Sequence, residues 1–451
     1  MSKMKLLDNL SGLTTSIPIM VGLLYIAFFS AYAGIKDSAQ VAHINFGTCT
    51  PSVPSSNARA KIDYNIFVCE NAMKWDATES SQGNFSYTGG DQVANWTSTN
   101  DCYMRGHTMV WHSQTPSWVQ SLTRQQMLAA MKNHITNLMT HFKGKILEWD
   151  ICNECVADGS SSLRTSFWQQ KIGNDFIDSA FTYAHAADSN VYLYYNDYSG
   201  ENSGSTKSDY IYNMVKSMVQ RKIPIHGVGL QCHLTAPVTK AAISANIKRI
   251  ADLGLRVSCT EIDIKNGATS PSSWSNLVQA CVENYNATSI LVWGFDDSRS
   301  WIGSNCACLP WDNSGQPRTS VISAIDAAFT GGDATINEKR AAFLKLSPED
   351  ILSGAGTPIV FNNAIAKKNL QTRFTFNNNV LSFSLPTAQN VQVRVFDIRG
   401  KMAGELNLGM QTAGMHTVHW SPVQLPDGMY FAKIKAGGQS MSILFTRMNK
   451  E

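Results

Sequence analysis

Short apolar runs alternate with longer amphipathic segments along residues 43–330 of the chain. The amphipathic segments place apolar residues at helical spacing, as Arg124–His141 does. Because strand and helix patterns alternate, we expect parallel strands joined by helical crossovers. Eight such repeats predict an α/β fold, a (β/α)8 barrel of the TIM type. The predicted strands are His43–Gly47, Ile66–Val68, Tyr103–Trp111, Ile146–Ile151, Val191–Tyr195, Gly227–Leu230, Arg256–Ile262 and Ser289–Phe295.

An open, doubly wound parallel sheet is the alternative for the same pattern. That fold favours a glycine-rich phosphate-binding turn after its first strand. Residues 46–51 stand at this place and are Phe-Gly-Thr-Cys-Thr-Pro, which is not such a turn. The barrel is therefore the favoured prediction, and we assign residues 34–330 to it.

The pattern changes after Phe329. Residues 331–372 have few aromatic residues and little periodicity, so we predict a linker there. Residues 373–451 alternate apolar and polar positions, as in Val391–Phe396, with turn residues between the runs, as in Pro426–Gly428. About seven short strands of this kind predict a small β-sandwich, which we assign as a separate accessory domain.

The first 33 residues have the pattern of an export signal. Lys3 and Lys5 precede an apolar stretch, Ile17–Ser30, and the small residues Ala31 and Ala33 follow it. The apolar stretch is shorter than the ~20 residues that a membrane-spanning helix needs. We therefore predict a signal peptide over residues 1–33 and a secreted or cell-surface protein. An uncleaved membrane anchor is the alternative.

Composition narrows the class of protein. The chain has 451 residues, 43% hydrophobic and 16% charged, with a net charge of +3, which is typical of a folded protein and too small to indicate nucleic acid. All ten cysteines precede residue 331. Cys306 and Cys308 lie in a predicted loop and are the better candidates for oxidation, while the other pairings stay open. Cys152 and Cys155 lack the second CxxC of a typical zinc site, so we predict no metal.

Two glutamates, Glu154 and Glu261, each end a short apolar run that predicts a buried strand. Burial of a carboxylate costs solvation free energy, so such a residue is expected to have hydrogen-bond or charge partners or a functional role. One interpretation is a general acid and a nucleophile that face a glycosidic bond. The other is two strand-end residues held by ordinary ion pairs.

Polar and aromatic residues cluster at the predicted carboxyl ends of the other strands as well. Barrel enzymes place their working residues at this edge. Aromatic rings there can support the faces of sugars, and amide, imidazole and amine groups can bind hydroxyls. The candidates for substrate binding or orientation are Glu70, Asn71, Lys74, His107, Trp111, Gln114, Asn153, Asn196, Tyr198, Gln231, His233, Asp263, Trp293 and Trp301.

These strand ends resemble the motifs of glycoside hydrolase family 10, the endo-β-1,4-xylanases. One such motif alone would be a weak signal, but here seven occur in family order. The matching stretches are Glu70–Thr78, Arg105–Trp118, Trp149–Glu154, Tyr195–Tyr198, Gly227–Leu234, Thr260–Ile264 and Val292–Ile302.

The resemblance implies a retaining endo-1,4-β-xylanase (EC 3.2.1.8) that acts on xylan or xylo-oligosaccharides without a cofactor. Glu154 would be the acid/base, Glu261 the nucleophile, and Asn153 the ligand of a sugar 2-hydroxyl. His233 and Asp263 would orient Glu261. The glycone side would be formed by Glu70, Asn71, Lys74, His107, Trp111 and Gln114, with Trp293 and Trp301 as a hydrophobic wall.

Several alternatives and expectations accompany this resemblance. A cellulase or mixed-specificity glycosidase is the competing enzyme class, and a non-catalytic xylan-binding protein is the competing non-enzyme class. We expect a monomer that does not bind nucleic acid. Many relatives have a disulfide near Cys281, but its usual partner region, residues 285–289, has no cysteine here.

The C-terminal region resembles sorting domains of the type IX secretion kind. The residues that carry this resemblance are Val395–Lys401, with an Asp-x-x-Gly-Lys turn, and Leu425–Tyr430, which starts a late Gly-x-Tyr strand. The resemblance implies a contact with secretion machinery. A carbohydrate-binding module and an inert spacer are the alternatives.

Overall fold

The computed structural model describes a continuous N-terminal region and several segments of the C-terminal region. The predicted signal peptide, residues 1–33, lies outside the described residues. The chain divides into two compact units, Met1–Thr357 and Pro358–Glu451. The described ranges are 34–356, 373–377, 380–385, 388–397, 401–412, 414–419, 428–436 and 439–447.

The first unit contains eight parallel strands that close into a barrel. Each of β1 to β5 pairs with the next strand along the chain, β6 pairs with β8, and β9 pairs with both β8 and β1. The closing pair of β9 with β1 rules out the open sheet and confirms the barrel prediction. The short β7 is an extra strand beside β8. The strands are β1 Asn45–Thr50, β2 Ile66–Cys69, β3 Tyr103–Gly106, β4 Glu148–Asn153, β5 Tyr192–Asp197, β6 Gly227–Leu230, β7 His233–Thr235, β8 Arg256–Lys265 and β9 Ala287–Val292.

Helices connect the strands, and α6 shows how the sequence specifies them. Thr123 caps its first turn through a capping box with Gln126, and an apolar stripe that includes Met131 and Leu138 is buried against the barrel. Three 3-10 helices lie at 54–56, 267–269 and 297–299. The α-helices of this unit are α1 Ile35–Val41, α2 Ala60–Asp63, α3 Trp75–Thr78, α4 Thr88–Thr99, α5 Ser117–Gln120, α6 Arg124–His141, α7 Phe167–Ile172, α8 Phe176–Ala187, α9 Thr206–Gln220, α10 Lys240–Ala251, α11 Pro271–Val282, α12 Thr319–Thr330, α13 Ala334–Phe343 and α14 Pro348–Leu352.

The last two helices correct the prediction of a linker over residues 331–372. Arg340 of α13 is fully buried and donates hydrogen bonds to the carbonyl oxygens of Cys281, Val282 and Asn284, at the end of α11. It also donates to the carbonyl oxygen of Ala42. These bonds satisfy carbonyl groups that a helix end leaves without an intrahelical partner. A buried cation therefore fixes residues 334–343 to the barrel, and their weak apolar periodicity gave no sign of it. Residues 357–372 of the predicted linker lie outside the described residues.

The second unit contains seven described antiparallel strands. One sheet has the order β10-β11-β14 and the other the order β13-β12-β15-β16. Val391, Val393 and Val395 of β12 are buried, as the period-two pattern predicts. Packing of the two sheets into a sandwich stays a prediction. The strands are β10 Arg373–Asn377, β11 Val380–Leu385, β12 Gln389–Asp397, β13 Met402–Gln411, β14 Gly414–His419, β15 Gly428–Ala436 and β16 Gln439–Arg447.

Among the described residues, none of the helices is long and apolar enough to cross a membrane. The apolar stretch for which an anchor was considered, residues 17–30, is not among them.

Candidate active site

The two glutamates lie at the carboxyl ends of their strands, on one edge of the barrel. Glu154 directly follows β4, and Glu261 lies in the second half of β8. The backbone of Glu154 has a φ of 56°, in the left-handed region, and its N–H donates to the carbonyl oxygen of Asn196 at 2.9 Å. Glu261 lies in β8 where its pairing with β9 shifts register between Cys259 and Ile262, and it is 5% exposed.

Glu261 is held by one amide and one imidazole. Asn196 Nδ2 donates to Glu261 Oε1 at 2.7 Å, and His233 Nε2 lies 3.5 Å from Glu261 Oε2. Asn196 is itself fixed because its Oδ1 accepts from Thr260 Oγ1 at 2.7 Å. Gly229 makes room for this amide, since a Cβ there would stand 2.2 Å from Asn196 Oδ1.

Nearby positive charge distinguishes Glu261 from an ordinary buried carboxyl group. Burial on its own raises the pKa of Glu261, but the hydrogen bond from His233 and the nearby charges of His107 and His233 outweigh burial and lower this pKa. Burial also acts against the His233 cation, yet bonds to Asp263 and Glu261 raise the pKa of His233 to about 10. His233 Nδ1 lies 2.9 Å from Asp263 Oδ2. At neutral pH the arrangement therefore holds an ionised Glu261 beside a protonated histidine.

Glu154 is surrounded by neutral hydrogen-bond donors. Trp111 Nε1 donates to Glu154 Oε2 at 2.9 Å. Gln231 Nε2 and Asn153 Nδ2 donate to Glu154 Oε1 at 3.1 and 3.3 Å. These contacts orient the carboxyl group without placing a cation against it.

A network of side-chain amides joins the two glutamates. Besides its bond to Glu261, Asn196 Nδ2 donates to Asn153 Oδ1 at 2.9 Å. Gln231 Nε2 donates to the same Asn153 oxygen at 3.2 Å, as well as to Glu154. The structure thus brings together five of the predicted site residues between β4, β5, β6 and β8, and fixes the two carboxyl groups relative to each other.

A second polar group lies on the predicted glycone side. Lys74 Nζ donates to Asn71 Oδ1 at 2.9 Å and to Gln114 Oε1 at 2.8 Å, and it stands 4.9 Å from the centre of the Trp111 ring. Burial lowers the pKa of Lys74, although nearby carboxylates, Glu261 first among them, act in the opposite direction. This amine and these amides are able to bind sugar hydroxyls.

Aromatic side chains line a cavity at the carboxyl ends of β1, β2 and β9. Trp293 is 9% exposed and Trp301 is 62% exposed, and both line a cavity together with Glu70. The Trp301 indole N–H donates to Asp263 Oδ2 at 2.7 Å, the same oxygen that His233 contacts. An exposed indole anchored in this way can support the face of a sugar ring.

Sequence reasoning missed the buried ion pairs beneath His107. His107 Nδ1 lies 3.0 Å from Asp150 Oδ2, and Arg105 forms ion pairs with both Asp150 and Glu148. Burial acts to raise the pKa of Asp150, but the charge of Arg105 and the bond from His107 lower it. The signal was present, since Arg105 and His107 alternate on β3 and its end, as Glu148 and Asp150 do on β4.

Tyr198 is placed differently from the other candidates. Its hydroxyl contacts Arg164 at 2.8 Å and Asp158, and neither of the two glutamates. Lys207 Nζ stands 3.6 Å from the centre of the Tyr198 ring. Arg164 also reaches the carbonyl oxygen of Glu154, so Tyr198 is connected to Glu154 through a residue that sequence reasoning did not select.

Among the residues described, one group has metal-ligand chemistry: Asp297, Cys306 and Cys308. The two cysteines form a disulfide, in line with the prediction that this loop is the better candidate for oxidation. Asp297 accepts hydrogen bonds from the backbone N–H groups of Cys308 and Leu309 and pairs with Arg318. These contacts of Asp297 stabilise the loop. Two disulfide-bonded sulfurs and one carboxylate that is already paired do not favour a metal ion.

Comparisons with known proteins cover the barrel. The model of the family "Glycosyl hydrolase family 10" matches residues 34–327. An endo-1,4-beta-xylanase of Agaricus bisporus is 36% identical over 290 residues, 59% of this chain and 86% of that protein. The crystal structure of native xylanase 10B from Thermotoga maritima has a TM-score of 0.63 and 28% identity, covering 68% of this chain and 99% of its own. Xylanase 10B from Thermotoga petrophila, in complex with xylobiose, has a TM-score of 0.62 and 27% identity, covering 66% and 97%.

Proposed function

The chain belongs to glycosyl hydrolase family 10, and we propose that it hydrolyses internal β-1,4-xylosidic bonds of xylan by retaining double displacement. It is a glycoside hydrolase whose relatives are consistent with endo-1,4-β-xylanase activity, EC 3.2.1.8. The observation that carries the proposal is the contrast between the two linked glutamates. Glu261 faces a protonated histidine, and Glu154 faces neutral donors.

In the first step, ionised Glu261 attacks the anomeric carbon of the sugar. The bond from that carbon to the leaving oxygen breaks, and protonated Glu154 gives its proton to this oxygen. The product is an ester between the sugar and Glu261, on the opposite face. The mechanism requires carboxyl groups ~5–5.5 Å apart, and the amide network of Asn153, Asn196 and Gln231 links the two glutamates through hydrogen bonds.

In the second step, Glu154 acts as a base. Its carboxylate takes a proton from a water molecule, the water oxygen attacks the anomeric carbon, and the ester bond to Glu261 breaks. Glu154 is then protonated and Glu261 ionised, as at the start. Two inversions at one carbon give net retention.

Product stereochemistry tests this mechanism. We expect proton NMR during hydrolysis of an aryl β-xylobioside to show the β-anomer of xylobiose first, with the α-anomer growing in as the sugar mutarotates. Initial release of the α-anomer would overturn retention. Failure to hydrolyse the substrate would favour the non-catalytic xylan-binding class.

Substrate choice depends on the space beside the C5 position of the sugar, because xylose lacks the hydroxymethyl group of glucose. We propose that Trp301, Gln114 and Lys74 close this space. Initial rates on xylan and on carboxymethylcellulose test this proposal. We expect the rate on xylan to be clearly higher. Equal rates would favour the mixed-specificity alternative.

We also propose that residues 1–33 are removed on export, that residues 373–451 form a β-sandwich that engages secretion machinery, and that the enzyme is a monomer. The Asp-x-x-Gly-Lys turn and the antiparallel strands support the C-terminal part. We expect mass spectrometry of exported protein to start at Gly34 and gel filtration to give the mass of one chain. A start at Met1 would favour the uncleaved anchor.

A truncation separates the alternatives for the C-terminal region. The cut belongs after Gly356, because a cut after Thr330 would remove Arg340 and its bonds to the barrel. We expect the shortened enzyme to stay active on soluble substrate and to lose export. Lost binding to insoluble xylan with intact export would instead indicate a carbohydrate-binding module, and no change in either would indicate a spacer.

A further inference from the structure

Glu154 has an unusual backbone for a residue that must aim a proton. Its φ of 56° lies in the left-handed region, which costs conformational energy for any residue with a Cβ. Such a conformation persists only where neighbouring contacts fix it. The direction of the Glu154 side chain depends directly on this backbone, so whatever fixes the backbone also aims the carboxyl group.

Three hydrogen bonds hold the peptide groups on either side of Glu154. The Glu154 N–H donates to the carbonyl oxygen of Asn196 at 2.9 Å, and the Cys155 N–H donates to the Tyr195 hydroxyl at 3.2 Å. The Glu154 carbonyl oxygen accepts from Arg164 Nε at 3.2 Å. Of these, Arg164 is the only charged partner, and it comes from the loop after β4 and not from a strand.

Arg164 is itself held in place. Its backbone N–H donates to the carbonyl oxygen of Cys155 at 2.7 Å, within a loop closed by the antiparallel bridge of Val156 and Leu163. Its Nη2 contacts the Tyr198 hydroxyl at 2.8 Å and Asp158 Oδ1 at 3.0 Å. The planar guanidinium therefore bridges the Glu154 carbonyl oxygen and the Tyr198–Asp158 pair. A lysine ammonium lacks the forked donor geometry for such a bridge.

We propose that Arg164 is a positioning residue that fixes the backbone of Glu154 and thereby aims its carboxyl group at the leaving oxygen. The inference rests on the acid/base role proposed above. It assigns Arg164 no contact with the sugar. Its loss should therefore weaken proton donation and leave the attack of Glu261 in place.

Two aryl β-xylobiosides separate these steps. Phenolate is a poor leaving group and needs the proton of Glu154, whereas 2,4-dinitrophenolate leaves without one. For Arg164→Met we expect kcat/KM to fall about 30-fold with the phenyl substrate, part of the ~100–10,000-fold that general acid catalysis supplies, and by less than about threefold with the dinitrophenyl substrate. Arg164→Lys should show the same selective loss, reduced in size. The burst of dinitrophenolate counts correctly folded active sites and corrects each rate.

Arg221→Met is the matched control, since Arg221 pairs with Asp178 between α8 and α9 and contacts neither glutamate. It should leave both rates unchanged. Equal losses on both substrates, or no loss on either, in Arg164→Met would overturn the proposal. If Arg164→Met does not fold, the same comparison of losses on the two substrates is made with Arg164→Lys. A wild-type enzyme that hydrolyses neither substrate would instead contradict the proposed function, so the two failures are distinguishable.

Discussion

The surroundings of Glu261 and of Glu154 differ although both residues end barrel strands on the same edge. Glu261 is almost fully buried and lies 3.5 Å from His233, whose pKa is raised to about 10 by Asp263 and Glu261. Glu154 is more open and is contacted by an indole and two amides, all neutral.

This difference fits the two roles that we propose for the glutamates. A cation beside a carboxyl group favours its ionised form, which a nucleophile needs. Neutral donors orient a carboxyl group without placing a positive charge beside it. The amide network of Asn153, Asn196 and Gln231 joins both groups within one site. Substitutions at four residues test this comparison, from the largest expected effect to the smallest.

Removal of the proposed nucleophile should have the largest effect. We expect Glu261→Ala to lower kcat/KM by about 10,000-fold or more, because loss of a covalent nucleophile stops the first step for any leaving group. Initial rates on phenyl and dinitrophenyl β-xylobiosides measure it. Glu283→Ala, which removes an exposed glutamate paired with Lys240, is the control and should keep wild-type rates. Wild-type activity of Glu261→Ala would remove Glu261 from the mechanism.

Removal of the acid should give a loss that depends on the leaving group. For Glu154→Ala we expect kcat/KM on the phenyl substrate to fall ~100–10,000-fold, with little change on the dinitrophenyl substrate. The second step then lacks its base, so added azide should raise kcat on the dinitrophenyl substrate and yield xylobiosyl azide. Equal losses on both substrates would break the assignment of different roles to the two glutamates.

Replacement of the charged neighbour should shift the pH profile. The pKa of Glu261 is lowered mainly because the His233 bond and nearby positive charge outweigh burial. His233→Asn removes that charge, so the pKa of Glu261 should rise. The acid limb of kcat/KM reports a base in the free enzyme, and it should therefore move to higher pH. An unchanged acid limb would show that His233 does not tune the nucleophile.

The same variant has a consequence for stability. The pKa of His233 is raised in the folded protein, so its charge stabilises the fold fully below its unfolded pKa of ~6.5. This contribution disappears as pH rises through about 10. Urea unfolding should accordingly show a stability gap between wild type and His233→Asn that is wider at pH 6 than at pH 10. A gap that widens toward pH 10 would contradict this sign.

The smallest effect should come from one neutral hydrogen bond. Trp111→Phe removes the indole N–H that contacts Glu154 and keeps an aromatic ring. A neutral hydrogen bond contributes ~1 kcal/mol, or about fivefold, so we expect a loss of that order in kcat/KM on the phenyl substrate. The dinitrophenyl substrate is the internal control and should change less. A larger loss on the dinitrophenyl substrate would count against orientation of the acid by Trp111.

The sequence predicted the candidate site because the ends of apolar runs mark the ends of strands. Apolar runs located the strands, and the polar residues that follow them, such as His233 and Asp263, share one edge of any parallel barrel. It missed Arg164, because the loop that returns this side chain to Glu154 has no periodic pattern. It also missed α13, because a buried Arg340 that binds the end of a distant helix leaves no apolar stripe. Contacts of this kind depend on tertiary structure and have no local signature.

Covalent trapping tests the central claim most directly. A 2-deoxy-2-fluoro-β-xylobioside with a dinitrophenolate leaving group should form the ester quickly and hydrolyse it slowly, because the fluorine destabilises both positively charged transition states and the leaving group speeds only the first step. We predict that peptide mass spectrometry finds a single fluoroxylobiosyl group, attached to Glu261. A label on Glu154, or hydrolysis without any covalent species, would contradict the assignment of the two glutamates.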